Sequence, residues 1–239
     1  IIIVGCLTQI ENHESFPDAD IILGTKNKSN IVDYIKQYIK TNQRIIDVSD
    51  TKQFCMFEPM SVISSEHTRA FIKIQDGCNN FCSYCIIPYA RGRECSKNLL
   101  FALSEITNLV NNGYKEIVLT GIHLDSYGKD IGTDLVSLIS EADKIQGMER
   151  IRLGSLEPTF ITDENLSRLK SVKHLCPHFH LSLQSGADNV LKSMNRKYSV
   201  KDFETAVIKL RNQYGNTVAL STDVIVGFST ETEDDFIES

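Results

Sequence analysis

From Thr68 onward the chain alternates strand and helix signals in a way that leaves few folds open. An apolar run at 70–74 starts the series. The helix after it is capped by Ser96 or Asn98, carries Leu103, Ile106, Leu109 and Val110 on one face, and stops at Gly113. Strand signals at 116–120, 150–153, 178–183 and 218–226 alternate with helix signals at about 134–144, 163–169, 188–194 and 201–213. This order predicts an α/β fold whose parallel sheet curls toward a barrel. With no unit to close the ring, the barrel is partial. Chemistry in such folds sits at the carboxyl ends of the strands. Those ends hold 78–85, 121–123, 155–157, 184–186 and Gly227. The candidates thus share one end of the sheet, although the strands follow from hydropathy alone.

The first strand end carries three cysteines in the run Asp76-Gly-Cys-Asn-Asn-Phe-Cys-Ser-Tyr-Cys-Ile-Ile-Pro88, spaced C-x3-C-x2-C. Gly77, Asn79, Asn80 and Ser83 make it a polar turn and not a core strand. A closed structural zinc site wants four protein ligands. A cubane iron–sulfur cluster has four irons, so Cys78, Cys82 and Cys85 would leave one iron open to a small molecule. Spacing alone keeps other readings in play: zinc completed by Cys95 or a nearby His, a redox pair of Cys82 and Cys85, or a chance cluster of buried thiols.

Residues 1–50 read as a small α/β unit with strands at 1–4, 20–23 and 43–48. A helix from Ser29 to about Tyr38 puts Ile31, Tyr34, Ile35, Tyr38 and Ile39 on one face. Cys6 follows Gly5 at a strand end, where a lone Cys is ordinarily a small buried residue. Residues 51–66, with Pro59, several serines and no period, read as a linker to a domain spanning 67–239, and Cys55 within it has no spacing partner. No apolar run approaches the roughly 20 residues of a membrane helix. Ile1-Ile-Ile-Val4 lacks the charged leader of a signal peptide. With no initiator Met and an end that reads as a helix start, the sequence is expected to be a fragment cut at both ends. Seven unevenly spaced cysteines argue for a reducing compartment and metal ligation over a disulfide framework. The net charge of −6 supplies no basic footprint for nucleic acid. The local cluster of Arg91, Arg93 and Lys97 reads equally well as a solvated helix start. His174, His178 and His180 with Cys176 are not expected to bind metal, because 178 and 180 alternate along a strand and Cys176 precedes a Pro.

C-x3-C-x2-C with Tyr84 before the last Cys resembles the radical S-adenosylmethionine (SAM) enzymes. The longer run 67–92 resembles the methylthiotransferases among them, most of all the MtaB-type branch acting on threonylcarbamoyladenosine in tRNA. The resemblance covers nearly the whole chain and is densest at 67–92 and 115–128. It implies a six-unit three-quarter barrel whose last part lies beyond 239, preceded by a truncated methylthiotransferase N-terminal domain. It implies a 4Fe–4S cluster on Cys78, Cys82 and Cys85 whose open iron chelates SAM. An electron from a donor of flavodoxin or ferredoxin type breaks the sulfonium bond, the resulting radical takes hydrogen from adenine C2, and sulfur and methyl are inserted. Cys6, in Gly5-Cys-Leu-Thr-Gln9, resembles the third ligand of an auxiliary 4Fe–4S cluster. The family's other two auxiliary ligands have no counterpart here, so the chain is expected not to be a complete enzyme. Tyr84, Gly121, Glu157, Gln184 and Gly227 are the expected SAM or substrate contacts, and His123 is a marker of the branch.

Two departures stand out: Gly227-Phe-Ser-Thr-Glu231 where the family commonly has Gly-Phe-Pro-Gly-Glu, and Cys95-Ser-Lys97 where it commonly has Arg-Ser-Arg. The implied partner is tRNA, the implied location the cytoplasm. The rivals are the isopentenyladenosine branch, an enzyme modifying a ribosomal-protein aspartate, and a non-catalytic iron–sulfur RNA-binding module. The 121–128 and Met194-Asn-Arg-Lys197 runs argue against the first two. Gly121, Glu157 and Gln184 argue against the third.

Overall fold

The computed structural model describes residues 1–51, 57, 58, 60 and 68–239. Most of the expected linker, with Cys55, lies outside them. The first unit runs β1 (Ile2–Val4), α1 (Cys6–Ile10), β2 (Ile21–Leu23), α2 (Ile31–Thr41) and β3 (Ile45–Asp47). Its strands form a parallel sheet with β2 in the middle, Ile3 opposite Ile22 and Ile22 opposite Ile46. The central strand is buried on both faces, as a run of Ile-Ile-Leu requires. The face expected on α2 does turn inward: Ile31, Tyr34, Ile35 and Tyr38 are its half-buried residues, while Ile39 is exposed. The tyrosine hydroxyls of that face also donate to carboxylates, Tyr38 to Asp20 at 2.5 Å and Tyr34 to Asp47. The added α1 turns the strand end at Cys6 into a helix start.

The second unit runs β4 (Ala70–Lys73), β5 (Gln75–Asp76), α3 (Ile87–Ala90), β6 (Cys95–Ser96), α4 (Leu99–Asn111), β7 (Glu116–Thr120), α5 (Leu135–Ala142), β8 (Arg150–Leu153), β9 (Ser155–Leu156), α6 (Asp163–Leu169), β10 (His178–Leu181), α7 (Asp188–Ser193), α8 (Val200–Tyr214), β11 (Ala219–Ser221) and α9 (Glu233–Glu238). β4, β7 and β8 pair in parallel, as do β9, β10 and β11. β8 and β9 are separated by Gly154 alone, so five parallel strands follow one another in chain order. Helix starts sit where the capping residues place them. The Asn98 side chain accepts from the N–H groups of Leu100 and Phe101, Asp134 accepts from Ser137, and Ser199 with Asp202 forms a capping box.

Alternation along the strands decides the core. Ala70, Ile72, Ile117, Leu119, Ile151, Leu153 and Phe179 are buried in one cluster with Ile106, Leu109, Leu138 and Leu210 of the helix layer. The opposite sheet face is polar. There Glu116 accepts from Arg150 Nε at 3.0 Å and Arg152 Nε at 2.7 Å, a cross-strand pairing that satisfies a half-buried carboxylate. β10 and β11 end earlier than their hydropathy suggests. The Thr222 hydroxyl accepts from Leu183 N at 3.0 Å and donates to Leu181 O at 2.6 Å, replacing ladder bonds. Gln184 then adopts φ +71°, and a single bridge to Val224 continues the pairing.

Leu119→Ala should lower unfolding stability by about 2–5 kcal/mol in urea. Leu100→Ala, on a side chain 72% exposed, should stay within about 0.5 kcal/mol.

Candidate functional site: the cysteine loop and its cavity

The cysteines lie on an excursion between β5 and β6, a two-stranded antiparallel ribbon that hydropathy did not reveal. Gln75 faces Ser96 and Asp76 faces Cys95, so residues 77–94 leave and rejoin the sheet at one point. Gly77 has φ +68°, and a Cβ there would stand 2.0 Å from Arg93 O, so only glycine fits. Cys78 N bonds Gly92 O at 3.1 Å, and Cys85 N closes a turn on Cys82 O at 2.9 Å. Asp76 takes bonds from Lys73 Nζ at 3.0 Å and Arg91 Nη1 at 3.1 Å. Burial works against its charge, but Lys73 and Arg91 outweigh it and hold the carboxyl below the usual range.

The far side of the loop rests on the segment after α7. Ser83 N and Oγ donate to Met194 O (3.1 Å) and Ser193 O (2.9 Å). Asn195, at φ +59°, donates from Nδ2 to Asn80 O (3.2 Å) and Phe81 O (2.9 Å). Arg196, largely covered, reaches both Cys82 Sγ and Glu157.

A cavity of about 330 Å³ opens at the carboxyl ends of the strands. Cys78, Cys82, Tyr84, Cys85, Gly121, Glu157 and Gln184 all line it, joined by Asn80, His123, Asp125, Ser182, Arg196 and Asp223. Seven of the candidates drawn from sequence thus meet there. Gly227 is not on its wall. It starts a turn in which its N–H donates to Glu231 Oε2 at 2.5 Å, so Glu231 closes the altered Gly-Phe-Ser-Thr-Glu segment. Cys6 is also off the wall. α1, which begins at Cys6, packs on α3 behind the loop, and Arg91, bonded to Asp76 at 3.1 Å, lies near Cys6.

Gly121 has a reason to be glycine before any ligand is considered. A Cβ there would come within 2.9 Å of the Gln75 side chain, whose Oε1 accepts from His123 N at 2.8 Å. Glu157 accepts from Asn80 Nδ2 at 2.8 Å and Arg196 Nη2 at 3.0 Å, with His123 Nε2 at 3.6 Å. Burial opposes its ionisation, but His123 and Arg196 outweigh it and keep the carboxyl low. His123 is the counterpart. Burial disfavours its charge, yet Asp125, Cys78 and Glu157 push its pKa up to about 12. His123, Asp125 and Glu157, with donor atoms within 4.8 Å of one another, form an ion-paired wall of the cavity.

The residues fit an iron–sulfur cluster. The three thiols are free, on one loop, and open to one cavity. Cys95, the proposed fourth zinc ligand, is buried in β6 and absent from the cavity wall. Burial pushes the Cys85 thiol up, opposed by the Ile87 N–H and reinforced by Cys82 and Cys78. Cluster assembly must therefore expel protons from this loop. A polar ligand beside the cluster also has a partner waiting, since His123 Nδ1 is buried with no hydrogen bond.

The basic cluster needs correcting. Lys97 is 5% exposed and paired with Glu105, Arg91 is tied to Asp76, and the Arg93 guanidinium lies 4.8 Å over the Phe81 ring. Lys97 is neither a solvated helix start nor open to a polyanion. His174 bonds Asp143 at 2.9 Å, and His178 and His180, on one face of β10, share Ser221. Asn80, Asn195 and Arg196 escaped attention as site residues. The only signal was the run Met194-Asn-Arg-Lys197, noted for its resemblance and not for its contacts.

Residues 72–239 match the Radical SAM superfamily. The chain belongs to that superfamily, and its parallel β/α partial barrel with three thiols at the carboxyl end is the corresponding architecture. Beyond the superfamily, the chain is similar to tRNA methylthiotransferases. It is 39% identical to the tRNA-2-methylthio-N(6)-dimethylallyladenosine synthase of Clostridium tetani, over 100% of this chain and 54% of that protein. It is 40% identical to the threonylcarbamoyladenosine tRNA methylthiotransferase MtaB of Bacillus subtilis, again over 100% and 54%. The chain spans about half the length of these relatives. Among solved structures, the cobalamin-dependent SAM radical enzyme OxsB superposes with a TM-score of 0.70 at 13% identity, over 100% of this chain and 38% of that one. At that identity the likeness is one of fold alone.

Asn195→Ala removes both hydrogen bonds to the loop and places alanine at positive φ. It should loosen the loop by about 1–3 kcal/mol, seen as faster hydrogen exchange at the Ser83 and Cys85 amides with α8 unchanged. Glu105→Ala leaves the Lys97 ammonium buried and should cost about 3–5 kcal/mol. Lys97→Met combined with Glu105→Leu should restore most of that loss in the same urea titration.

Proposed function

We propose that this chain carries the SAM-cleaving part of a tRNA methylthiotransferase that adds sulfur and a methyl group at adenine C2 of N6-threonylcarbamoyladenosine next to the anticodon. The observation that supports it most is the meeting of Cys78, Cys82 and Cys85 with Tyr84, Gly121, Glu157 and Gln184 on one cavity at the strand ends. When bound, a 4Fe–4S cluster with one open iron supplies reductive cleavage of the SAM sulfonium bond. The chain's own part is to hold and orient. The three thiolates fix the cluster at the cavity mouth. Glu157 and the paired His123 present fixed charges of opposite sign to the polar end of a ligand. Gly121 keeps the β7 end low enough for close approach, while Tyr84, T-shaped against Phe228 at 6.4 Å, walls the side. Gly227 acts through the turn that carries Phe228.

Cys6 is assigned as a ligand of a second, auxiliary cluster, which supplies a place for sulfur separate from the open iron. The partners are tRNA and a small electron donor of flavodoxin or ferredoxin type, and the location is the cytoplasm. No helix among the described residues is long and apolar enough to cross a membrane. The choice of threonylcarbamoyladenosine rests on the 121–128 run. Relatives named for the dimethylallyladenosine reaction are as similar, at 38–40% identity, so that branch is the second reading.

After anaerobic reconstitution the chain should hold about four irons and, once reduced, an EPR signal that SAM shifts. Cys82→Ala should lose both. One zinc with no iron and no response to SAM would sink the reading. The branch is tested with anticodon stem-loops carrying either modified adenosine: tighter binding of the threonylcarbamoyl form is expected, and preference for the isopentenyl form would transfer the assignment.

A further inference from the structure

Arg196 is engaged along its whole guanidinium, with its side chain 7% exposed. Nε donates to Tyr198 Oη at 2.9 Å, Nη2 to Glu157 Oε1 at 3.0 Å, and Nη1 to Cys82 Sγ at 3.2 Å. Its plane lies 4.7 Å over the Tyr198 ring. Tyr198 is itself fixed, since its hydroxyl donates to Ser182 O at 2.5 Å. The fork therefore cannot swing away from Cys82 without breaking a buried network. Cys82 is also the buried member of the cysteine trio.

Hydrogen bonds to cluster sulfurs and nearby positive charge favour the reduced, more negative form of an iron–sulfur cluster. Glu157 offsets part of the guanidinium charge, so the directed N–H···S bond carries most of the effect. We propose that Arg196 is a positioning residue that sets the Cys82 sulfur and raises the reduction potential of the cluster held by Cys78, Cys82 and Cys85, while its second arm fixes Glu157 on the cavity wall. The inference rests on the reading of the three cysteines as cluster ligands. It goes beyond that reading by giving a residue 114 positions from Cys82 control over how readily the cluster accepts an electron.

The test is an EPR-monitored redox titration of the anaerobically reconstituted chain, with iron counts and circular dichroism, for wild type, Arg196→Met and Arg196→Gln. Met removes donors and charge, whereas Gln keeps a neutral donor. Both variants should fold and bind about four irons. The midpoint should move to more negative potential in Met, with Gln between Met and wild type. A folded, iron-loaded Met variant at the wild-type midpoint overturns the proposal and leaves the cluster reading intact. If Met folds but loads no iron, the Gln midpoint decides: a negative shift supports the proposal and none overturns it. Absence of iron in the wild type defeats the cluster reading, and the proposal falls with it.

Discussion

A loop carrying three thiols can present a cluster only if both its ends and its crown are held. Here the ends are closed by the two-residue ribbon of β5 and β6, with Gly77 tucked beneath the Arg93 carbonyl. The crown is held by Ser193, Met194, Asn195 and Arg196, which arrive from beyond the fourth strand of the barrel. Loop closure costs entropy once, and the ribbon and the strap share that cost between contacts already formed in the fold. Without both, the sulfurs of Cys78, Cys82 and Cys85 would sample many separations, and a cluster would have to order them.

The same loop organises the charges. Asp76 at its base gathers Lys73 and Arg91, and Glu157 opposite gathers Arg196, Asn80 and His123. Each carboxylate is largely buried, so each needs its cations to remain ionised. The first α/β unit packs α1 on α3 at the back of the cluster loop, and Thr25 Oγ1 donates to Ala90 O at 2.9 Å inside that contact. The two units therefore meet at the cysteine loop.

Much of the fold was legible from local patterns. β7 and β8 occupy the spans their β-branched and apolar residues indicate, and Asn98, Asp134 and Ser199 cap where short polar side chains precede apolar helices. Local signals failed where a distant side chain intervened. Thr222 ended β10 early by replacing its ladder bonds. Lys97 looked like a surface cation because its partner Glu105 lies a helix turn and more away, on a face that only packing reveals.

By itself the sequence determined the order of strands and helices, the loop with its three cysteines, and the presence of Gly121, Glu157 and Gln184 at strand ends, because periodicity and spacing are local properties. Only the tertiary structure decided that Arg196 and Asn195 hold that loop, that Gly121 makes room for Gln75, and that Gly227 and Cys6 stand off the cavity wall. Those facts depend on which side chains meet across more than a hundred residues of chain. Such meetings are set by the curvature of the sheet and the packing of helices against it, and no local pattern encodes them.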